Sequence, residues 1–293
     1  MTTNVATLAA RSRLRDIASL GKPRLSSLVI LSAGAGVWLA PGERAVVRTL
    51  VMLLGTALLV WAANALNCYL EQDVDAQMTR TKDRALPSGR LEPWIAATVG
   101  WGVALLSMTL LALSTNPLTA SLGALGFLSY VLVYTPMKRE SSFALVVGAV
   151  SGSVPPLMGW TAITGSLDTG GLILFAILFV WQLPHFLAIS MFGGVDYQRA
   201  GLRVFSVVYG NRVTAIGIAL SSLALVATSL LPFSHGIAGI YYAVTAAALG
   251  IGMLTLAAPG FRRAADVAWA RRVFLYSLAH LSLLIAAMIA DAA

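Results

Sequence analysis

Asn67, Glu71 and Asp75 stand four residues apart where a long apolar run ends, inside the stretch NCYLEQDVDAQMTRTKDRALPSGR. If the run is a helix that continues past the bilayer edge, residues three or four apart share a face. Asn64, Asn67, Glu71 and Asp75 then form one polar stripe, and Asp73 points roughly the other way. Amides and carboxylates that begin at membrane depth are costly unless they face a wet cavity or a ligand. Carboxylates one helical turn apart suit Mg²⁺, a hard cation that takes oxygen ligands and keeps waters and substrate phosphates in its shell. Arg80, Arg84 and Arg90 follow closely, and a guanidinium grips phosphate in a bidentate manner. The stripe and its bases therefore read as a Mg²⁺–diphosphate site. Asp73, Lys82, Asp83 and Arg90 read equally well as charges that solvate a loop.

The elements that must position these groups are transmembrane helices. The chain of 293 residues is 58% hydrophobic and 11% charged, where soluble domains carry about 25% charged residues. About 20 apolar residues cross a bilayer as a helix. Apolar segments fall near 24–41, 46–70, 92–113, 117–134, 142–164, 169–192, 212–232, 236–257 and 272–290. The expected fold is all-α: a polytopic membrane protein of nine transmembrane helices, one domain over 1–293 with a basic tail over 1–23. The tail resembles a signal peptide, but with eight further spans behind it the first run reads as a retained helix. Of the 20 Lys and Arg residues, 18 fall on one side of this arrangement, and only Arg44 and Arg48 on the other. By the positive-inside rule the N-terminus is cytoplasmic, the C-terminus outside, and the stripe faces the cytoplasm. The same rule accounts for the net charge of +8 without a nucleic-acid partner. Cys68 is the single cysteine, which excludes an intrachain disulfide. The loops after spans two and six are long enough, at about 20 residues, to be functional rather than mere connectors.

The charged stretch resembles the first aspartate-rich motif of the UbiA superfamily of intramembrane prenyltransferases. Three other segments agree in order: GKPRLSSLV at the first span, YTPMKR after the fourth, and WQLPHFLAISMF in the sixth, followed by DYQRAG. The similarity covers nearly the whole chain, and WQLPHF and KPR favour the heme-modifying branch over quinone or chlorophyll prenyltransferases. The resemblance implies nine helices around a central cavity, Mg²⁺ as the metal, and farnesyl diphosphate and heme b as substrates in an inner membrane. The farnesyl group would join a vinyl group of heme b, water would complete the addition, and pyrophosphate would leave. Glu71 stands where the family usually has Asp, which keeps the carboxylate. Val195 precedes Asp196 where the family often has two adjacent acids, so the second metal site rests on Asp196 alone.

With that chemistry, Asn67, Glu71 and Asp75 are assigned to the first metal and Asp196 to a second. Arg80, Arg84, Lys138 and Arg139 are assigned to the diphosphate, Lys138 also to catalysis; Arg139 reads equally as a topology anchor. His185, at membrane depth three residues beyond Gln182, is a functional candidate by position alone. It is expected to ligate heme iron, meet a propionate or carry a proton, with Gln182 beside it, or else to bond a neighbouring helix. Pro184 is expected to break the helix there and shape the cavity. His235 falls in an outer turn and His280 reads as packing. Trp61, Trp101 and Trp160 read as interface anchors or packing, and GAVSG, Gly148 to Gly152, as close helix contact. Two rival readings are a prenyltransferase for an aromatic quinone precursor and a transporter with the stripe as its cation path. The one-sided clustering of polar groups weighs against transport. A downstream heme-modifying enzyme or a terminal oxidase assembly is the expected protein partner.

Overall fold

The structure, a computed structural model, describes residues 13–262 and 266–292. The first twelve residues of the basic tail expected over 1–23, Arg11 among them, lie outside the described residues. Among the described residues, eight helices are long and apolar enough to cross a membrane: α2 (Val46–Leu70), α3 (Pro93–Ser114), α4 (Pro117–Glu140), α5 (Ala144–Thr164), α6 (Thr169–Phe192), α7 (Phe205–Ser234), α8 (Ile240–Phe261) and α9 (Val267–Ala290). The first of the nine expected spans is α1 (Pro23–Leu39), with 17 residues. At 1.5 Å per residue it covers about 25 Å, short of a hydrocarbon core of about 30 Å. Pro41 stops it early, because the residue before a proline is pushed out of the helical region; Ala40 is extended, with φ −67° and ψ 134°. No strand occurs among the described residues, only an isolated bridge between Ala238 and Ala292.

Local chemistry sets the helix ends. Proline, preorganised for the first turn, opens α3 and α4. Asn116 accepts from the Thr119 amide at the start of α4, and Asp168 from Gly170 and Gly171 at the start of α6. Gly165, left-handed at φ 69°, closes α5.

Each half of the bundle has an apolar core. Met52, Leu59, Leu66, Leu111, Phe127 and Met158 join α2, α3, α4 and α5. Leu187, Ile218, Met253, Trp269 and Val273 join α6 to α9. The halves meet where Leu39 of α1 and Trp160 of α5 pack on Ile173 and Ile177 of α6, Tyr242 of α8 and Leu284 of α9, and α1 lies against α5 in near-backbone contact. A Cβ on Gly159 would stand 2.0 Å from the Ala33 carbonyl oxygen, and one on Gly36 2.1 Å from that of Pro156. Such close approach is how small residues let membrane helices associate without a hydrophobic drive. Pro184 lies within an unbroken α6, so the expected break is absent.

At one end of the bundle the loops over 71–92 and 193–204 fold into a cap. The short helices Gln72–Gln77 and Gly194–Arg199 bring Val74 and Met78 against Ala200 and Leu202. A helical segment over 13–20 packs Leu20 onto Ala85, Leu86 and Leu91. Arg13 reaches Glu92 at 2.8 Å and Arg90 reaches Asp16 at 3.4 Å. This part of the tail docks on protein.

Candidate active site

The regular helix α2 ends at Leu70, and Glu71 leaves helical geometry with φ −106° and ψ 10°. The four-residue ladder nonetheless survives: Glu71 N donates to Asn67 O at 3.0 Å, and Asp75 N to Glu71 O at 2.7 Å. Asn67, Glu71 and Asp75 are therefore brought together, all buried. Asn67 Nδ2 donates to Glu71 Oε2 at 2.9 Å and to Thr135 Oγ1 at 3.2 Å. Asn67 Oδ1 accepts from Lys22 Nζ at 2.7 Å. Glu71 Oε1 forms an ion pair with Lys138 Nζ, and Asp75 Oδ2 accepts from Arg84 Nη1 at 2.7 Å. Asn64, expected on the same stripe, turns instead to Gly21 O and Ser26 Oγ, tying α2 to α1.

Lys138 reaches Glu71 because α4 changes winding. Pro136 has no N–H to give to the carbonyl four residues back, and Ser129–Tyr134 are wound as a π-helix. The Thr135 amide bonds five residues back to Tyr130 O. Such bulges recur at functional sites. Here the turn puts Lys138 Nζ 4.8 Å from the centre of the Tyr134 ring, a cation–π contact. Lys22 arrives by another local distortion, as the only non-glycine with positive φ among the described residues, at 48°. A left-handed non-glycine residue persists where its surroundings over-determine it, and the bond to Asn67 is part of that constraint. Burial, which disfavours the charged form, draws the Lys22 ammonium below its ordinary value.

Lys22, Lys138 and Arg84 thus face two carboxylates and one amide, leaving a surplus of positive charge where the apolar bundle ends. Among the described residues no three His, Cys, Asp or Glu side chains converge into a protein-only metal cage. That donor set fits Mg²⁺, which binds through one or two carboxylates and completes its shell with waters and substrate phosphates.

The other expected site residues lie elsewhere. Arg139 is engaged outside the stripe, donating to both Asp73 carboxylate oxygens at 2.8 and 2.7 Å and to Leu70 O at 2.8 Å. Its guanidinium holds the Asp73 carboxyl below the usual carboxylate range. Arg80 is exposed on the cap. Asp196, half-buried on the second loop, accepts from Thr79 Oγ1 at 3.0 Å and pairs with Arg199 at 3.4 Å. Gln182 Nε2 donates to Ala149 O, Ser153 Oγ and Leu178 O, bridging α5 and α6. His185 faces α9: Nδ1 lies 2.8 Å from Ser277 Oγ, and Trp181 and Phe274 flank the ring at 4.6 and 4.7 Å. Sequence reasoning overlooked Lys22, Thr135 and Tyr134 as parts of the site. The available signals were a lysine directly before the first span and a tyrosine four residues ahead of Lys138.

A bundle of membrane-crossing helices that holds carboxylates and surplus cations at one end defines a class, and comparison with known proteins gives its family. Residues 28–278 match the model of the UbiA prenyltransferase family, and the chain belongs to that family. It is 49% identical to a protoheme IX farnesyltransferase of Anaeromyxobacter dehalogenans (strain 2CP-C), over 97% of this chain and 98% of that protein. It is equally similar, at 49%, to a protoheme IX farnesyltransferase of Myxococcus xanthus (strain DK1622), over 94% of each. Among solved structures, one of a digeranylgeranylglyceryl phosphate synthase superposes with a TM-score of 0.81 at 16% identity, covering 96% of this chain and 98% of that one. A UbiA homolog from Archaeoglobus fulgidus bound to GPP and Mg²⁺ superposes at 0.65 with 13% identity, covering 94% and 99%. These likenesses carry the fold.

Proposed function

We propose that this chain transfers the farnesyl group of farnesyl diphosphate to a vinyl group of heme b, with addition of water, giving heme O and pyrophosphate. One observation carries the reading: Lys22, Lys138 and Arg84 gather on the Asn67–Glu71–Asp75 stripe where the bundle leaves the membrane. The names of relatives 49% identical over nearly the full chain support heme as the acceptor.

The allylic C1–O bond breaks when the leaving diphosphate is stabilised, and preorganised charge is the usual means. Bound Mg²⁺, held by Asn67, Glu71 and Asp75 with Asp196 serving a second ion, would supply Lewis-acid stabilisation of that leaving group. Lys138 and Arg84 stand next to those carboxylates, where their remaining N–H donors meet phosphate oxygens. Arg80, exposed on the same cap, is the further phosphate contact; Arg139 acts by fixing Asp73 and the end of α2. The vinyl carbon bonds to C1, water takes up the positive charge left beside the porphyrin, and a proton departs. The apolar bundle keeps water from the allylic cation until the acceptor has reacted. Gln182 and His185 lie on α6, deeper in the bundle, as the heme-facing pair. The site faces the cytoplasm of an inner-membrane protein, with the N-terminus on the same side.

The test is product mass. Purified protein in lipid with heme b, farnesyl diphosphate and Mg²⁺ should yield farnesylated, hydrated heme. An unchanged heme, or a prenylated aromatic quinone precursor formed in its place, overturns the assignment.

A further inference from the structure

At the end of the bundle away from the carboxylates lies a cavity of about 570 Å³, a size within the range of small-molecule and cofactor pockets. Lys22 sits at one end of α1 and Trp38 and Leu39 at the other, so about 25 Å of helix separates this cavity from the stripe. Trp38, Leu39, Trp160 and Ile237 give it apolar walls, and Arg44 and His235 are its charged and titratable lining groups.

The walls are held by three independent devices. Arg44 donates Nε to Val37 O at 3.2 Å and Nη2 to Trp38 O and Ala40 O at 2.7 and 3.1 Å, which caps α1. Its guanidinium carbon lies 5.4 Å from the centre of the Trp38 ring. The loop after α7 is clamped by Asp291, whose carboxylate accepts from Tyr242 N at 2.7 Å and whose carbonyl accepts from Gly239 N at 2.9 Å. Asp168 caps α6, where Thr169 and Gly170 join the lining.

His235 is the informative residue. Its Nδ1 lies 3.0 Å from Leu231 O. Ser234 Oγ stands 3.1 Å from the same nitrogen and itself donates to Leu231 O at 3.0 Å; in the tautomer with the proton on Nδ1 the ring donates to that carbonyl and Nε2 carries the free lone pair. A histidine that donates its other N–H to a backbone carbonyl is fixed in tautomer and orientation as a metal ligand.

We propose that this cavity is a second heme site: His235 Nε2 ligates the iron, Arg44 pairs with a propionate through its remaining N–H donors, and the tryptophans and Ile237 cover the porphyrin. A flat apolar ring with carboxylates and an open metal position is the ligand that combination of side chains recognises. The assignment rests on the reading that this chain handles heme, and it adds a heme site remote from the reacting centre.

The test uses the full chain in lipid nanodiscs, titrated with heme b and with metal-free protoporphyrin IX. Wild type should show the absorption spectrum of imidazole-ligated iron. His235→Ala should lose that signature and bind heme at least tenfold more weakly at this site, with no change for metal-free protoporphyrin. Exogenous imidazole should restore the spectrum in His235→Gly. Arg44→Gln should weaken both porphyrins, since both carry the carboxylates. Heme spectra and affinity unchanged in His235→Ala overturn the proposal, as does a wild-type spectrum without imidazole ligation. Product formation, measured on the same samples, separates the two readings. Failure of wild type to farnesylate heme sinks the reaction and leaves this site standing, whereas turnover without the His235-dependent spectrum does the reverse.

Discussion

Glu71 and Lys138 form the most exposing test of the site at the scale of single residues, because both are largely removed from water. Breaking one side of a buried pair leaves the other charge uncompensated, which costs more than replacing both. Glu71→Gln should cut prenyl transfer by about 10²–10³-fold, the usual effect of losing a preorganised charge at a reacting centre. Glu71→Gln and Lys138→Met should each lower thermal stability, and the double variant should recover part of the loss. A coupling of about 1 kcal/mol or more in that cycle is expected, and strict additivity would refute the pairing. Asp73 gives a pH test. Its folded value is depressed by Arg139, so the pair contributes stability above the ordinary carboxylate range and loses it as pH falls through the folded value. Asp73→Asn should flatten that acid limb and, for so exposed a pair, cost only about 0–1 kcal/mol at neutral pH. Asn67, Glu71 and Asp75 are legible in the sequence because helical period alone aligns them. Lys22 is not, because it comes 45 residues earlier and reads there as one more topology charge. Arg139 sits one residue, about 100°, round the helix from Lys138, enough to send it to Asp73.

Helix α4 shows what pattern reading leaves out at the scale of elements. Its span is plain in composition, but hydrophobicity carries no trace of the π-turn at Ser129–Tyr134 that aims Lys138. A π-turn accommodates one residue more than a regular helix, so Pro136→Ala, which supplies the missing N–H, should let α-winding resume over the same residues and rotate Lys138 by about 100°. The expected outcome is a folded protein with prenyl transfer reduced at least tenfold and weakened binding of farnesyl diphosphate, measured by calorimetry. Unchanged affinity would remove the turn from the mechanism. Pro184 is the opposite lesson: a proline that sequence reasoning takes for a break is absorbed within α6, as membrane helices tolerate.

Charge asymmetry governs the molecule as a whole. Among the described residues, eight spans and the shorter α1 follow one another as the apolar pattern predicts. The cap in which Val74 and Met78 meet Ala200 and Leu202 could not be foreseen, since it depends on two loops far apart in sequence. Sidedness is open to direct measurement, and Cys68, being buried, gives a quiet background. In intact cells a membrane-impermeant maleimide should label Ser234→Cys and spare Arg80→Cys until the membrane is permeabilised. The reverse pattern would invert the topology.

The partners of the α2 stripe carry a consequence for biosynthesis. Lys22, Arg84 and Lys138 all precede α5, so a ribosome that has delivered the first 140 residues has already supplied every counter-ion the acids need. The N-terminal half can therefore pair the charges of this stripe before the C-terminal half emerges.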